Sequence, residues 1–311
     1  MRIFCLISFL AIAFFSCKKT ETVTFTNNNI PNYSGVPTLL VENYVNRLFI
    51  DLTGREPTNA EMSTEVTALE AGGLSEASRS ALVDKLMTST APVVGDTSYA
   101  HAYAQKFYDD NKSRFLDGIA ENQVFEEYYL YYGISVQDSL AGNMLAYEVN
   151  RDYSNRSLAV IQIKEQFRLG QITCDEVCRR MCYNTMYDNL HMGSFNYVNA
   201  TFDDLFYRYP TEVELDEAYD AVEGVPSEGE GDITGYLFGE IFSTKSEYLN
   251  VLIDSEEFAE GMIRWCYLSL LSREPSTTEV YSKLSILNNG MNIKALQKSI
   301  LITDEYAGFN E

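Results

Sequence analysis

The sequence predicts an all-α protein, an irregular helical-repeat body built from helix–Arg-x-Pro-Ser/Thr-x-x-Glu–helix units. Two observations carry this expectation. Apolar residues recur three and four positions apart along most of the chain, the period of one helix face, and a stop–turn–restart signature occurs three times. With 311 residues the chain is long enough for one large helical domain or two smaller ones, each with a sizeable core.

Residues 1–16 carry one cation, Arg2, ahead of an apolar run from Ile3 to Phe15 that only Cys5 and Ser8 interrupt. A membrane-spanning helix needs about 20 apolar residues, so this run fits the h-region of a cleaved secretory signal. It meets Phe14-Phe15-Ser16-Cys17 directly. That junction resembles the lipobox of bacterial lipoproteins, in which an apolar and a small residue precede a cysteine that becomes diacylated. The ending Ser16-Cys17-Lys18-Lys19 is similar to lipoproteins of the Bacteroidetes group. The resemblance implies removal of residues 1–16 and a covalent lipid at Cys17. Lys18 in place of Asp after the cysteine implies the outer membrane, on its periplasmic or cell-surface face. Each buried methylene contributes about 0.8 kcal/mol and one acyl chain is marginal, so two or three chains would anchor the protein firmly.

Residues 17–37 continue as a Thr- and Asn-rich stretch with two prolines and no apolar period, which reads as a flexible stalk. The body starts at residue 38. Helical spacing marks residues 39–52, 61–71, 77–88 and 99–115. The aromatic run 124–132 has strand propensity, but its paired glutamates and helical neighbours favour a helix. Residues 223–232, rich in Gly and Glu, can neither bury apolar surface nor continue a helix. They form a loop between a helical region, 38–222, holding the first two turns and a C-terminal repeat region, 233–311.

The repeated turn is Arg55, Pro57, Thr58 and Glu61, then Arg208, Pro210, Thr211 and Glu214, then Arg273, Pro275, Ser276 and Glu279. Proline disfavours helix at the residue before it, so the first helix must stop near the arginine. Thr or Ser with Glu three residues on is a capping box that restarts the chain as a helix. Leu69 and Gly72 match Leu287 and Gly290 by spacing from the proline, and a glycine there would close the second helix. A third helix follows at 77–88 and at 293–303. The arginines read as structural groups bonded to carbonyls or a nearby carboxylate, in preference to a shared ligand site.

This turn behind a Leu-rich helix resembles the domain of unknown function found in Planctomycete proteins beside cytochrome c-like segments. It is similar, more weakly, to phycobilisome-linker-like repeats, whose units end in a Ser-Glu-Phe-like motif. Comparable ends here are residues 254–258 and 303–306. The resemblance covers about half the chain and implies a fold, with no activity attached to it. The Cys-x-x-Cys-His haem attachment pattern of some relatives is absent from the sequence.

Cys174, Cys178 and Cys182, spaced four and four, fall on one helical stripe, with His191 nine residues beyond. Three thiolates and an imidazole could hold zinc, but structural sites favour tight Cys-x-x-Cys turns, so zinc is disfavoured. Core cysteines, with or without one disulfide to Cys266, is the preferred reading. Tyr108-Asp109-Asp110-Asn111 lacks the alternation of a calcium loop and reads as a solvated helix end. The polar, aromatic segment 187–199 is the best candidate for a functional loop.

A net charge of −22, more negative once Arg2 is lost, repels phosphate backbones and excludes nucleic-acid binding. Two histidines, His101 and His191, and the absence of a nucleophile elbow, a phosphate loop or a His-Glu-x-x-His helix give no support for an enzyme. Twenty-two tyrosines and 17 phenylalanines fit helix cores, sugar stacking or protein interfaces. The expectation is a structural or protein-interaction lipoprotein with an envelope protein as partner and no cofactor. The alternatives are a glycan- or nutrient-binding partner of an outer-membrane transporter, and a metal or redox protein using the cysteine stripe.

Overall fold

The structure is a computed structural model that describes residues 33–224, 233–287 and 290–309. The signal, Cys17 and the stalk up to residue 32 lie outside the described residues, as do residues 225–232 of the acidic loop. Residues 33–35 form one 3-10 turn. The protein is all-α: among the described residues sixteen α-helices accompany a single two-stranded hairpin. None of those helices is long and apolar enough to cross a membrane.

The first unit is α1 (Thr38–Thr53), α2 (Asn59–Ala71) and α3 (Glu76–Thr88). Val41, Tyr44, Val45, Leu48, Phe49 and Leu52 line the buried face of α1 at helical spacing. Ser75 caps α3, and Ser98 caps the next helix, α4 (Tyr99–Phe115). Tyr108-Asp109-Asp110-Asn111 is therefore mid-helix in α4 and not a helix end. Tyr108 and Asn111 are buried, while Asp109 and Asp110 pair with Lys112 and Lys106 on their own helix.

A long antiparallel hairpin follows, α5 (Glu121–Ala141) and α6 (Met144–Ile161), and the aromatic run lies in α5. The chain then passes through α7 (Ile163–Arg168), α8 (Cys174–Cys182) and α9 (Thr185–Leu190). The second unit holds α10 (Ser194–Phe206) and α11 (Glu212–Glu223). After them come strands β1 (Gly235–Leu237) and β2 (Glu240–Phe242), then α12 (Lys245–Ile253). The expected loop 187–199 is mostly helix, because Asn184 caps α9 and only residues 191–193 separate it from α10. Tyr187 and Tyr197 belong to the core.

Ser255 caps α13 (Glu256–Leu271), which opens the third unit with α14 (Thr277–Leu287) and α15 (Ile293–Leu301). The third helix was expected to run to 303; it stops at Leu301, because Thr303 caps a further helix, α16 (Asp304–Ala307). The glycine equivalence also shifts by one residue. Gly73 and Leu74, with φ of 64° and 53°, match Gly290 and Met291 at 90° and 51°, and the caps Ser75 and Asn292 come next. Gly72 has an ordinary φ of −80°, and its lack of a side chain instead admits Ser78, whose Cβ would lie 2.5 Å from a Cβ at Gly72.

The β-hairpin went unforeseen. Its turn needs positive φ at both central residues, usually supplied by Asn-Gly, and here Phe238 at 52° and Gly239 at 92° supply it. Gly235 lets β1 lie directly on α11, since a Cβ there would sit 1.9 Å from the Glu217 carbonyl oxygen.

The described residues from Val36 onward form one compact unit, so the helices before and after the acidic segment share a core. The third unit touches both others. Towards the first, α15 packs on α3 and α16 on α1, where the Tyr44 hydroxyl donates to the Leu301 carbonyl at 3.1 Å and the Tyr306 hydroxyl to Asp51 at 2.7 Å. Towards the second, α13 crosses α10 at Gly261, where an added Cβ would sit 1.9 Å from the Leu205 carbonyl oxygen. The contacts of α1 and α3 with α15 and α16 distinguish this body from an open solenoid, in which each repeat meets only its chain neighbours.

Candidate functional site

The three repeat turns share one geometry. In each, the residue before the arginine is left-handed: Gly54 at 71°, Tyr207 at 60° and Ser272 at 54°. The arginine then turns back and donates both terminal nitrogens to the capping-box glutamate. The distances are 2.8 and 2.9 Å for Arg55–Glu61, 2.7 and 2.8 Å for Arg208–Glu214, and 2.6 and 3.0 Å for Arg273–Glu279. The same glutamate accepts the cap residue's backbone N–H at 2.7 Å in every copy. An aromatic ring six residues upstream, Phe49, Phe202 or Tyr267, lies under the guanidinium.

A second carboxylate joins two of the turns to the Ser-Glu-Phe-like ends. Arg208 also donates to Glu257 at the start of α13, and Arg273 to Glu305 in α16 at 2.6 and 2.8 Å. Ser255 and Thr303 are the caps two residues before those glutamates. The two motifs are thus halves of one lock between a turn and the start of a later helix, α13 or α16. In the first unit Ser98 is the corresponding cap, and Ala100 stands where the glutamate would be. Arg55 Nε consequently has no hydrogen-bond partner among the described residues. Tyr99 substitutes by donating its hydroxyl to Glu61 at 2.8 Å. In each copy the guanidinium is bonded to carboxylates of its own turn or of a neighbouring helix start.

The lock fixes an acid response. Burial works against ionisation of Glu61, but the bonds from Arg55, Thr58 and Tyr99 outweigh it and hold its pKa at about 2. Arg208 and Arg273, aided by the cap residues, hold Glu214 and Glu279 at about 2 as well. A depressed carboxylate contributes its full stability above its unfolded value near 4.5 and loses it as pH falls towards 2. Asp204 acts in the opposite sense: burial lifts it to about 6 despite the Tyr187 hydroxyl and Arg114, so protonation stabilises the fold as pH falls below 6. Melting temperature measured against pH is expected to fall steeply between 4.5 and 2, and Glu214→Gln should reduce that slope.

The cysteine stripe is a core feature. Cys174, Cys178 and Cys182 lie on the buried face of α8, and with Cys266 of α13 all four are fully buried, free thiols. Of the two alternatives left open, the thiols without a disulfide to Cys266 are the form seen. Cys174 donates to the Met291 carbonyl at 3.2 Å, and burial pushes the Cys178 thiol up to about 12. His191 sits apart, its ring against Tyr187 at 4.4 Å, with burial lowering its pKa. Among the described residues no group of three or more His, Cys, Asp or Glu side chains is arranged to hold a metal ion.

A site that sequence reasoning missed lies between the β-hairpin and the α12–α13 junction. A trough of 650 Å3 is lined by the apolar side chains Phe238, Ile241 and Val251, interleaved with the carboxylates Glu240, Glu247, Asp254 and Glu256. A second cavity of 410 Å3 shares Asp254, Ser255 and Glu256 with it and extends to Asp175, one of whose buried oxygens accepts no hydrogen bond among the described residues. No Lys, Arg or His among the described residues lines either cavity. Phe238 is held over the trough by its edge contact with Phe206 at 5.7 Å, and Ile241 is 72% exposed. Backbone and hydroxyl donors of Ser243 lower the pKa of Glu247, so it is charged at neutral pH. The signal in the sequence is the cluster of large apolar residues Phe238 and Ile241 ahead of an acidic helix junction, which lines a trough only when the hairpin folds onto α11.

No protein-family model matches the chain, and no characterised protein or solved structure is significantly similar to it.

Proposed function

We propose that this protein is a lipid-anchored envelope lipoprotein whose helical body holds a protein partner in the trough beside the β-hairpin. The observation that carries the reading is the mixing of exposed apolar side chains with carboxylates in one trough, which shares Asp254, Ser255 and Glu256 with a neighbouring cavity. Such a groove suits a partner segment that presents Lys or Arg next to a large apolar side chain, because burial supplies affinity and opposite charge supplies register and on-rate. The acidic surface and the lipobox-like Cys17 support an extracytoplasmic setting. No motif in the sequence supports catalysis.

Two measurements test the reading. Cys17→Ala is expected to leave membranes in a carbonate wash; retention of the variant would show that Cys17 is not the anchor. Envelope proteins captured by the wild-type chain should be lost with Phe238→Ser plus Ile241→Ser, lost with Glu247→Lys plus Glu256→Lys, and weakened by salt. An unchanged set of captured proteins sinks the trough as the docking site. A saccharide that raises the melting temperature of wild type but not of the trough variants would replace the reading with glycan binding.

A further inference from the structure

We infer that the protein self-associates as a twofold dimer through α5, with the two copies of this helix antiparallel. This goes beyond the trough, which lies on other elements and does not depend on it.

The hairpin α5–α6 is packed with small residues inside and large ones outside. Its fully buried or nearly buried positions include Ser135, Ser154 and Ser157, and Tyr131 meets Tyr153 at 5.1 Å across the pair. Phe125, Tyr129, Tyr132, Val136 and Leu140 face solvent at 38, 63, 40, 41 and 85% exposure. At 100° per residue these five fall within about 80° of arc, a single stripe running about 22 Å along the helix. Spacings of four, three, four and four keep the side chains on one helix face, as in a seam that packs on another helix.

The stripe is its own complement. Phe125 and Leu140 lie equally far from the midpoint between Tyr132 and Gly133, and so do Tyr129 and Val136. An antiparallel twofold through that midpoint lays Phe125 of one copy on Leu140 of the other, Tyr129 on Val136, and Tyr132 against Gly133, an isologous contact. Gly133 supports this assignment independently. A glycine inside a helix costs about 1 kcal/mol relative to alanine, and nothing in its own chain demands it, for an added Cβ would meet no atom within 4 Å. At the twofold, the missing side chain gives the opposing Tyr132 ring a place to lie.

Charge also favours a second copy here. The protein carries −22, yet of the four carboxylates of α5, Glu127 and Asp138 lie on the opposite side of the helix from the stripe and Glu121 is paired with Lys164, which leaves Glu126 at its edge. Arg151 of α6 lies over the Tyr132 ring at 5.2 Å. The five side chains expose on the order of 500 Å2, more than half of the ~800 Å2 per partner that a standard interface buries. The flanks of α5 together with Met144 and Arg151 supply more.

The test uses the full chain in its membrane and in detergent. Oxidation of Tyr129→Cys plus Val136→Cys should give a disulfide-linked dimer, whereas either single cysteine should not; the four native thiols of the body are buried. By light scattering, the wild-type chain should have twice the mass of Val136→Glu. Gly133→Glu should also be monomeric while keeping the far-UV helical signal of wild type, because its side chain enters open space and glutamate favours helix. A wild-type monomer at tens of micromolar, or a dimer that survives both glutamates without the cross-link, overturns the inference. Trough variants should remain dimeric, which separates its failure from failure of the docking reading.

Discussion

Gly261→Ala is expected to destabilise the body by about 3 kcal/mol or more, at the upper end of overpacking costs. That corresponds to a melting temperature lower by roughly 6–10 °C. The glycine lies within α13, and its Cβ would sit 1.9 Å from the Leu205 carbonyl oxygen and 3.1 Å from its carbon. These are backbone atoms of α10, so no side chain can swing aside; the two helices must separate. Around the crossing lie Leu205, Phe206, Met262 and Trp265, all buried, so separation opens a gap where the second and third units meet. Thermal melting of the variant checks this, and a loss below about 1 kcal/mol would mean that the crossing is not as close as described.

Arg208→Met is expected to cost about 2 to 3 kcal/mol, in line with removing one member of a partly buried ionic network. One guanidinium joins the end of α10, the capping box of α11 and the first turn of α13, through Glu214 at 2.7 and 2.8 Å and through Glu257. Its removal leaves Glu214 and Glu257 without their shared cation and lets the turn and α13 repel each other. Arg208→Lys should recover less than half of the loss, because a point charge cannot occupy two carboxylates in the fork geometry of arginine. Arg55→Met should cost less than Arg208→Met, since Ala100 replaces the second carboxylate and Tyr99 carries part of the tie. Chemical denaturation of the three variants ranks them directly, and equal losses at 55 and 208 would argue that the second carboxylate adds nothing.

The repeat turns were legible because every part of their signal is local. Proline acts on the residue before it, a threonine reaches a backbone N–H three residues away, and an arginine six residues from a glutamate meets it once the chain has turned. Their second carboxylates were not legible as partners, although residues 254–258 and 303–306 stood out as motifs, because Glu257 lies 49 positions from Arg208. The hairpin and the trough were missed for a related reason. Strands of three residues carry too little alternation to read, and Phe238 and Ile241 line a trough only when the hairpin rests on α11. The segment 187–199 misled by composition: its tyrosines and asparagines are polar on paper, but Asn184 and Gly193 start helices that take Tyr187 and Tyr197 inside.

The sequence by itself determined the helical class, the ends of most helices and the conformation of the three turns, since propensity, capping and the proline constraint act over a few residues. Tertiary structure alone decided which units touch, where carboxylates gather and which side chains face water. Two helix-interior glycines show the difference. Gly261 and Gly133 look alike in the chain, yet one admits a neighbouring backbone at a buried crossing and the other looks into open space beside an apolar stripe. What separates them is the distance to atoms far away in sequence, which no local pattern encodes.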